Sequence, residues 1–150
     1  MNKINQNKLV STFLISIVFL VPSIAFAQSN NQLMIRLLDT VAKQSLKGYI
    51  RPNNVKPRMG KLEQGKQIEM SFRLRKGQKY GFAAVCDVNC SDIDLSLKDA
   101  DGQVIDEDTD KDESAVVVYT AEETSVYDLT AIMPSCNQVE CDYGIGVYKK

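Results

Sequence analysis

From Gln67 onward the chain alternates. In QIEMSFRLR, residues 67–75, Ile68, Met70, Phe72 and Leu74 fall on one side; Glu69, Ser71, Arg73 and Arg75 fall on the other. A period of two marks a strand with one buried face. KYGFAAVC (79–86) repeats the pattern with Tyr80, Phe82 and Ala84, and DIDLSLKD (92–99) with Ile93, Leu95 and Leu97. Shorter runs follow: QVID (103–106), SAVVVYTA (114–121), SVYDLTAIM (125–133) and DYGIGVYK (142–149). Lys76-Gly77-Gln78 and Asp101-Gly102 are turn signals between them. Seven or so short strands, with no βαβ unit among them, predict an antiparallel β-sandwich.

Upstream the period is helical. Leu33, Met34, Leu37, Leu38, Val41, Ala42 and Leu46 form one apolar stripe. Asn30 or Asn31 suits the start of this helix and Gly48 the residue past its end. The stripe can pack on the sandwich, or stand out as an arm that meets a partner. Residues 48–66, GYIRPNNVKPRMGKLEQGK, read as a connector.

The first 27 residues read as a signal peptide. Lys3 and Lys8 precede the apolar run Leu9–Val21, Pro22 breaks it, and Ala25-Phe26-Ala27 fits a cleavage site. No later segment is apolar enough to span a bilayer. The expected organisation is signal peptide 1–27, helix and connector 28–60, and a sandwich domain over 61–150. The expected location is periplasmic or extracellular.

Cleavage leaves 16 basic and 19 acidic side chains, placed unevenly. Residues 28–80 hold 12 Lys/Arg against 3 Asp/Glu, and residues 81–150 hold 4 against 16. Either the two halves neutralise each other inside one fold, or they form two patches of opposite sign. Export and the acidic second half argue against nucleic acid.

Four cysteines in an exported chain predict two disulfides. Cys86 and Cys90 sit in one inter-strand loop, Cys136 and Cys141 in another. Pairing Cys86–Cys90 and Cys136–Cys141 is the simplest of three connectivities, and it would fix the shape of two loop tips. Zinc fits poorly, because the spacings are not C-x2-C pairs.

If consecutive strands run antiparallel, both cysteine loops and the loop after Asp106 share one end of the sandwich. That end would gather Asp87, Asp92, Asp94, Asp106, Asp108, Asp110 and Asp112. Crowded carboxylates repel unless they are solvated or neutralised by a cation. Ca²⁺ takes six to eight oxygen ligands from such loops, so the rim is either a calcium site or a solvated loop cluster. An EF-hand is ruled out by Lys111 and Val117 at the positions that need Gly and Glu.

Catalysis has little to work with. The chain has no histidine, which removes Ser-His-Asp, Cys-His and H-E-x-x-H chemistry. It has no glycine-rich phosphate loop. A two-carboxylate hydrolase is left as a third choice, without a Trp to form a sugar platform. Tyr80, Tyr119, Tyr127, Tyr143 and Tyr148 lie in or beside strands, either as core-edge residues or as a binding stripe.

Residues 61–149 resemble the bacterial pre-peptidase C-terminal domain. The resemblance lies in Asp92-Ile93-Asp94-Leu95, Asp99-Ala100-Asp101-Gly102, the acidic run Asp106 to Asp112, Ser125-Val126-Tyr127 and Tyr143-Gly144, in that order. It implies a jelly-roll-like sandwich on a secreted protein, with a role in binding, folding or secretion. Related collagen-binding modules hold calcium through loop carboxylates, which carries over here to Asp92, Asp94, Asp106, Asp108 and Asp112. Two features depart from the family pattern: no peptidase segment accompanies the domain, and the two cysteine loops are additional. The expected function is a non-enzymatic binding or accessory module that contacts protein or polysaccharide. The alternative is an envelope-maintenance protein that self-associates through its helix.

Overall fold

The computed structural model describes residues 24–150, with side chains from Asn31 onward. Residues 1–23, most of the expected signal peptide 1–27, lie outside the described residues. One helix and eight strands follow one another: α1 (Ile24–Ser45), β1 (Arg58–Leu62), β2 (Gln67–Leu74), β3 (Lys79–Cys86), β4 (Cys90–Lys98), β5 (Val104–Asp108), β6 (Ser114–Thr120), β7 (Ser125–Cys136) and β8 (Cys141–Lys149). The strands form two antiparallel sheets, ordered β1-β8-β3-β6 and β2-β7-β4-β5. Apart from the β4–β5 hairpin, successive strands switch between the sheets, which is the jelly-roll arrangement of a sandwich. Among the described residues no helix is long and apolar enough to cross a membrane.

The period-two pattern is the reason for this fold. Phe82, Ile93, Leu95, Leu97, Leu129 and Met133 are fully buried between the sheets. Tyr80, Tyr127 and Tyr143 join them at 2–3% exposure and Tyr148 is as deeply covered by the helix. That disposes of an exposed tyrosine stripe. Burial pushes the Tyr127 hydroxyl up to about 12, helped by a hydrogen bond and repulsion from Tyr119. The turns obey local chemistry as well. Asp99 accepts the N–H groups of Asp101 and Gln103 on Oδ1, and Gly102 takes the positive φ of 81° that closes the hairpin.

Two readings of the N-terminal part need correction. The predicted connector contains a strand: Arg58–Leu62 pairs with β8 from Arg58↔Ile145 to Leu62↔Cys141. Five residues with a glycine and a nearby proline carry too little alternation to announce a strand. The expected domain boundary at residue 60 therefore falls inside β1. The helix also starts at Ile24, ahead of the proposed Asn30 or Asn31 cap. Its end is as expected, with Gly48 at φ 81° just beyond.

Helix α1 lies on the outer face of the β1-β8-β3-β6 sheet. Met34, Leu38, Ala42 and Leu46, spaced four apart, pack with Ala83, Val85 and Tyr148. Glycines make room for this. A Cβ on Gly144 would come within 3.2 Å of the Met34 Cβ, and one on Gly81 within 2.7 Å of a Leu46 methyl. The stripe is thus spent inside the protein, and an arm that self-associates through it does not fit this packing.

Candidate functional site

The strand directions bring three loops to one end, as the sequence predicts. Residues 87–89, 109–113 and 137–140 meet there, and backbone hydrogen bonds tie them together. The Cys86 N–H donates to the Glu113 carbonyl (3.0 Å) and the Ile93 N–H to the Asp112 carbonyl (3.1 Å). The Asp87 N–H reaches the Asp142 carbonyl (3.0 Å), and the Asn137 N–H reaches the Asn89 carbonyl (2.8 Å).

Both local disulfides are present, Cys86–Cys90 and Cys136–Cys141. All four cysteines are buried in the core beneath the rim. Each bridge closes a short loop, and the two loops are bonded to each other. Beside the backbone contacts, the Gln138 amide donates to Asn89 Oδ1 (3.0 Å), and Asp87 Oδ2 accepts the Asp142 N–H (3.2 Å). Asp87 Oδ1 also accepts the Asn89 N–H within its own loop (3.0 Å). At the tips stand Val88, 90% exposed, and Val139, 85% exposed. A cleft of about 330 Å³ beside them is lined by Leu33, Met34, Lys61, Val88, Gln138 and Glu140, among others. Sequence reasoning found these loops but passed over the valines. The signal was available: each disulfide loop is polar apart from its cysteines and one valine.

The five carboxylates proposed as calcium ligands are divided in their work. Asp106 and Asp108 point into the seam between β5 and β6, the edge strands of the two sheets. Asp108 Oδ2 accepts the Val116 N–H and Asp106 Oδ2 the Val118 N–H, both at 2.8 Å. Residues two apart on β5 thereby cap N–H groups two apart on β6, replacing a strand pairing with charged hydrogen bonds. Asp112 Oδ1 accepts the N–H and the hydroxyl of Ser114 (2.8 and 3.1 Å). Asp106 sits opposite Leu97. That is five residues along β4 from Asp92, or about 16 Å at strand rise, so Asp106 does not join Asp92 in one group.

Asp92 and Asp94 differ from these three. Asp92 is only 9% exposed, and its Oδ1 is buried without a hydrogen-bond partner. Two register shifts in β4 flank it. Burial pushes the Asp94 carboxyl above its usual range, and repulsion from Asp92, Asp108 and Glu107 adds to the shift. Among the described residues no three His, Cys, Asp or Glu side chains converge in a metal-holding arrangement.

The end of the sandwich opposite the rim carries cations drawn from both halves of the chain. Lys79 begins β3, Lys149 ends β8, and Lys150 Nζ donates to the Lys47 carbonyl at the end of the helix (3.3 Å). These cations lie at the pole opposite the acidic rim. Lys61 and Glu140 do meet across the halves, at 4.0 Å and largely exposed. An exposed pair at that distance contributes little, about 0–1 kcal/mol.

No family model and no curated protein sequence matches this chain. Several solved structures share the fold. The pre-peptidase C-terminal domain of a collagenase from Bacillus anthracis superposes with a TM-score of 0.50 at 12% identity, over 61% of this chain and 87% of that one. PliG from Aeromonas hydrophila, a periplasmic inhibitor of g-type lysozyme, gives 0.48 at 10% identity, over 63% and 85%. A CBM4 structure gives 0.44 at 13% identity, over 73% and 83%. The likeness is one of sandwich architecture. Two disulfides fit an oxidising compartment.

Proposed function

We propose that this is an exported, non-enzymatic module that binds a protein partner through the rim of its two disulfide loops. The observation that carries this reading is the pair of cross-bonded loops, each displaying one valine almost fully to solvent. Isolated apolar tips on polar loops gain nothing for the fold. Held rigid beside a cleft, they lose little conformational entropy on binding, which is how preorganised loops gain affinity. A protein is favoured over a polysaccharide because sugar recognition draws on exposed aromatic faces, and four of the strand tyrosines are buried. The surrounding acids suit a partner whose apolar recess is bordered by cations.

Replacing both tips, Val88→Asp with Val139→Asp, tests this. The melting temperature should stay unchanged, because both side chains are exposed. Affinity for the protein that the oxidised wild type retains from the cell's exported fraction should fall about tenfold or more. Equal retention by both forms would sink the rim as the binding surface. Retention on a polysaccharide gel would give the rim to the other ligand class.

A second reading gives the Asp92–Asp94 corner a calcium ion. It rests on the partnerless Asp92 oxygen and on the raised Asp94 carboxyl. Without a cation, ionised Asp94 destabilises the fold. Its folded pKa lies above the reference of 3.8, so the penalty is absent below that pH and complete above the raised value. Asp94→Asn should therefore raise the urea midpoint at pH 7 in chelator, and the gain should vanish near pH 3. If calcium binds, saturating ion should stabilise the wild type by a few kcal/mol, roughly 3 at a free concentration a hundred times Kd. It should do much less for Asp94→Asn. A wild-type midpoint indifferent to calcium and chelator removes this second reading.

A further inference from the structure

Three of the sheet edges are accounted for differently from the fourth. The β5 and β6 edges face one another and are sewn together by Asp106 and Asp108. The β1 edge is only five residues long. The β2 edge runs for eight residues in unbroken register and without proline, and among the described residues β2 pairs only with β7.

The direction of its free groups follows from one bond. The Met133 N–H donates to the Lys66 carbonyl just before β2. In an antiparallel ladder such pairs recur every second residue. The even positions, Ile68, Met70, Phe72 and Leu74, therefore bond to β7. The odd positions, Glu69, Ser71 and Arg73, turn their N–H and C=O groups to the open edge. Their side chains are exposed, while Ile68, Met70 and Phe72 are half-buried on the core side.

Unpaired edges of this length recruit another strand unless charges forbid it. The charges here forbid most partners but match a second copy of this strand. We propose that β2 pairs with β2 of a second molecule across a two-fold axis at Ser71, joining the two β2-β7-β4-β5 sheets into one. In that register Glu69 lies opposite Arg73 on both sides of the axis, and Met70 lies opposite Phe72. All the odd positions meet odd positions, so the free groups of Glu69, Ser71 and Arg73 satisfy one another in about six backbone bonds. Shifting the axis to Glu69 sets two glutamates face to face, and like charges directly opposite destabilise a ladder. The interface is small against the roughly 800 Å² per partner of a stable complex, so the dimer is weak and concentration-dependent. Antiparallel pairing would place its two disulfide rims at opposite ends.

Charge reversal tests the register by sedimentation of the oxidised protein. Wild type should move from monomer to dimer as concentration rises. Glu69→Arg alone and Arg73→Glu alone should each stay monomeric, since each sets like charges opposite one another twice. The double variant, Glu69→Arg with Arg73→Glu, should dimerise again. An equimolar mixture of the two single variants should also dimerise, because each then supplies the charge that the other lacks. Both substituted positions are exposed, so unchanged melting temperatures are expected. A wild type that stays monomeric at every attainable concentration overturns the proposal. So does a dimer that survives both single reversals, or a mixture that fails to associate.

Discussion

Leu38→Ala is expected to lower the folding free energy by about 2–5 kcal/mol, the range for removing a buried leucine side chain from a packed site. Leu38 is completely buried between α1 and the sheet, in a cluster with Met34, Ala42, Leu46, Ala83, Val85 and Tyr148. Little can fill the gap. Tyr148 is fixed by its hydroxyl, which donates to the Leu38 carbonyl (3.3 Å), and a Leu38 methyl lies over Gly144, which has no side chain to offer. Urea unfolding followed by far-ultraviolet circular dichroism measures the loss. The same substitution separates the two uses of the helix. An arm that served only for association would leave stability untouched and change the mass in solution.

Removing both disulfides should lower stability by about 4 kcal/mol, roughly 2 for each short loop in the chain-entropy account. The effect on binding should be larger in kind. The bridges hold the two loops in the shape that lets Asn89 receive Asn137 and Gln138. Without them Val88 and Val139 would be displayed on mobile loops, and partner binding would carry the entropy of ordering both. Reduction under conditions where circular dichroism still reports a folded sandwich should thus abolish retention of the partner before it unfolds the protein. Retention that persists in the reduced, folded state would separate binding from the rim.

The alternation in residues 67–149 was enough to give the strands, because a period of two has no other stable use in a half-buried segment. Antiparallel direction followed from the short turns at Gly77 and Gly102, and that direction alone placed the cysteine loops and the acidic loop at one end. β1 was hidden because Arg58–Leu62 has too few alternating positions to outweigh its Gly60 and the neighbouring Pro57. What the acidic residues do was not legible at all. Asp106 and Asp94 look alike in sequence, each in an acidic run. One caps an edge N–H; the other is crowded by three carboxylates.

By itself, then, the sequence determined seven of the eight strands, which of their faces are apolar and which loops gather, and it favoured the local pairing of the cysteines. These are local matters of period, turn chemistry and chain direction. Only the tertiary structure decided that the helix stripe is consumed by the sheet, that Val88 and Val139 stand out while the tyrosines do not, and that β2 alone keeps a long open edge. Burial, edge pairing and the surroundings of a carboxylate depend on neighbours far away in the chain, and a periodic pattern carries no record of which neighbour arrives.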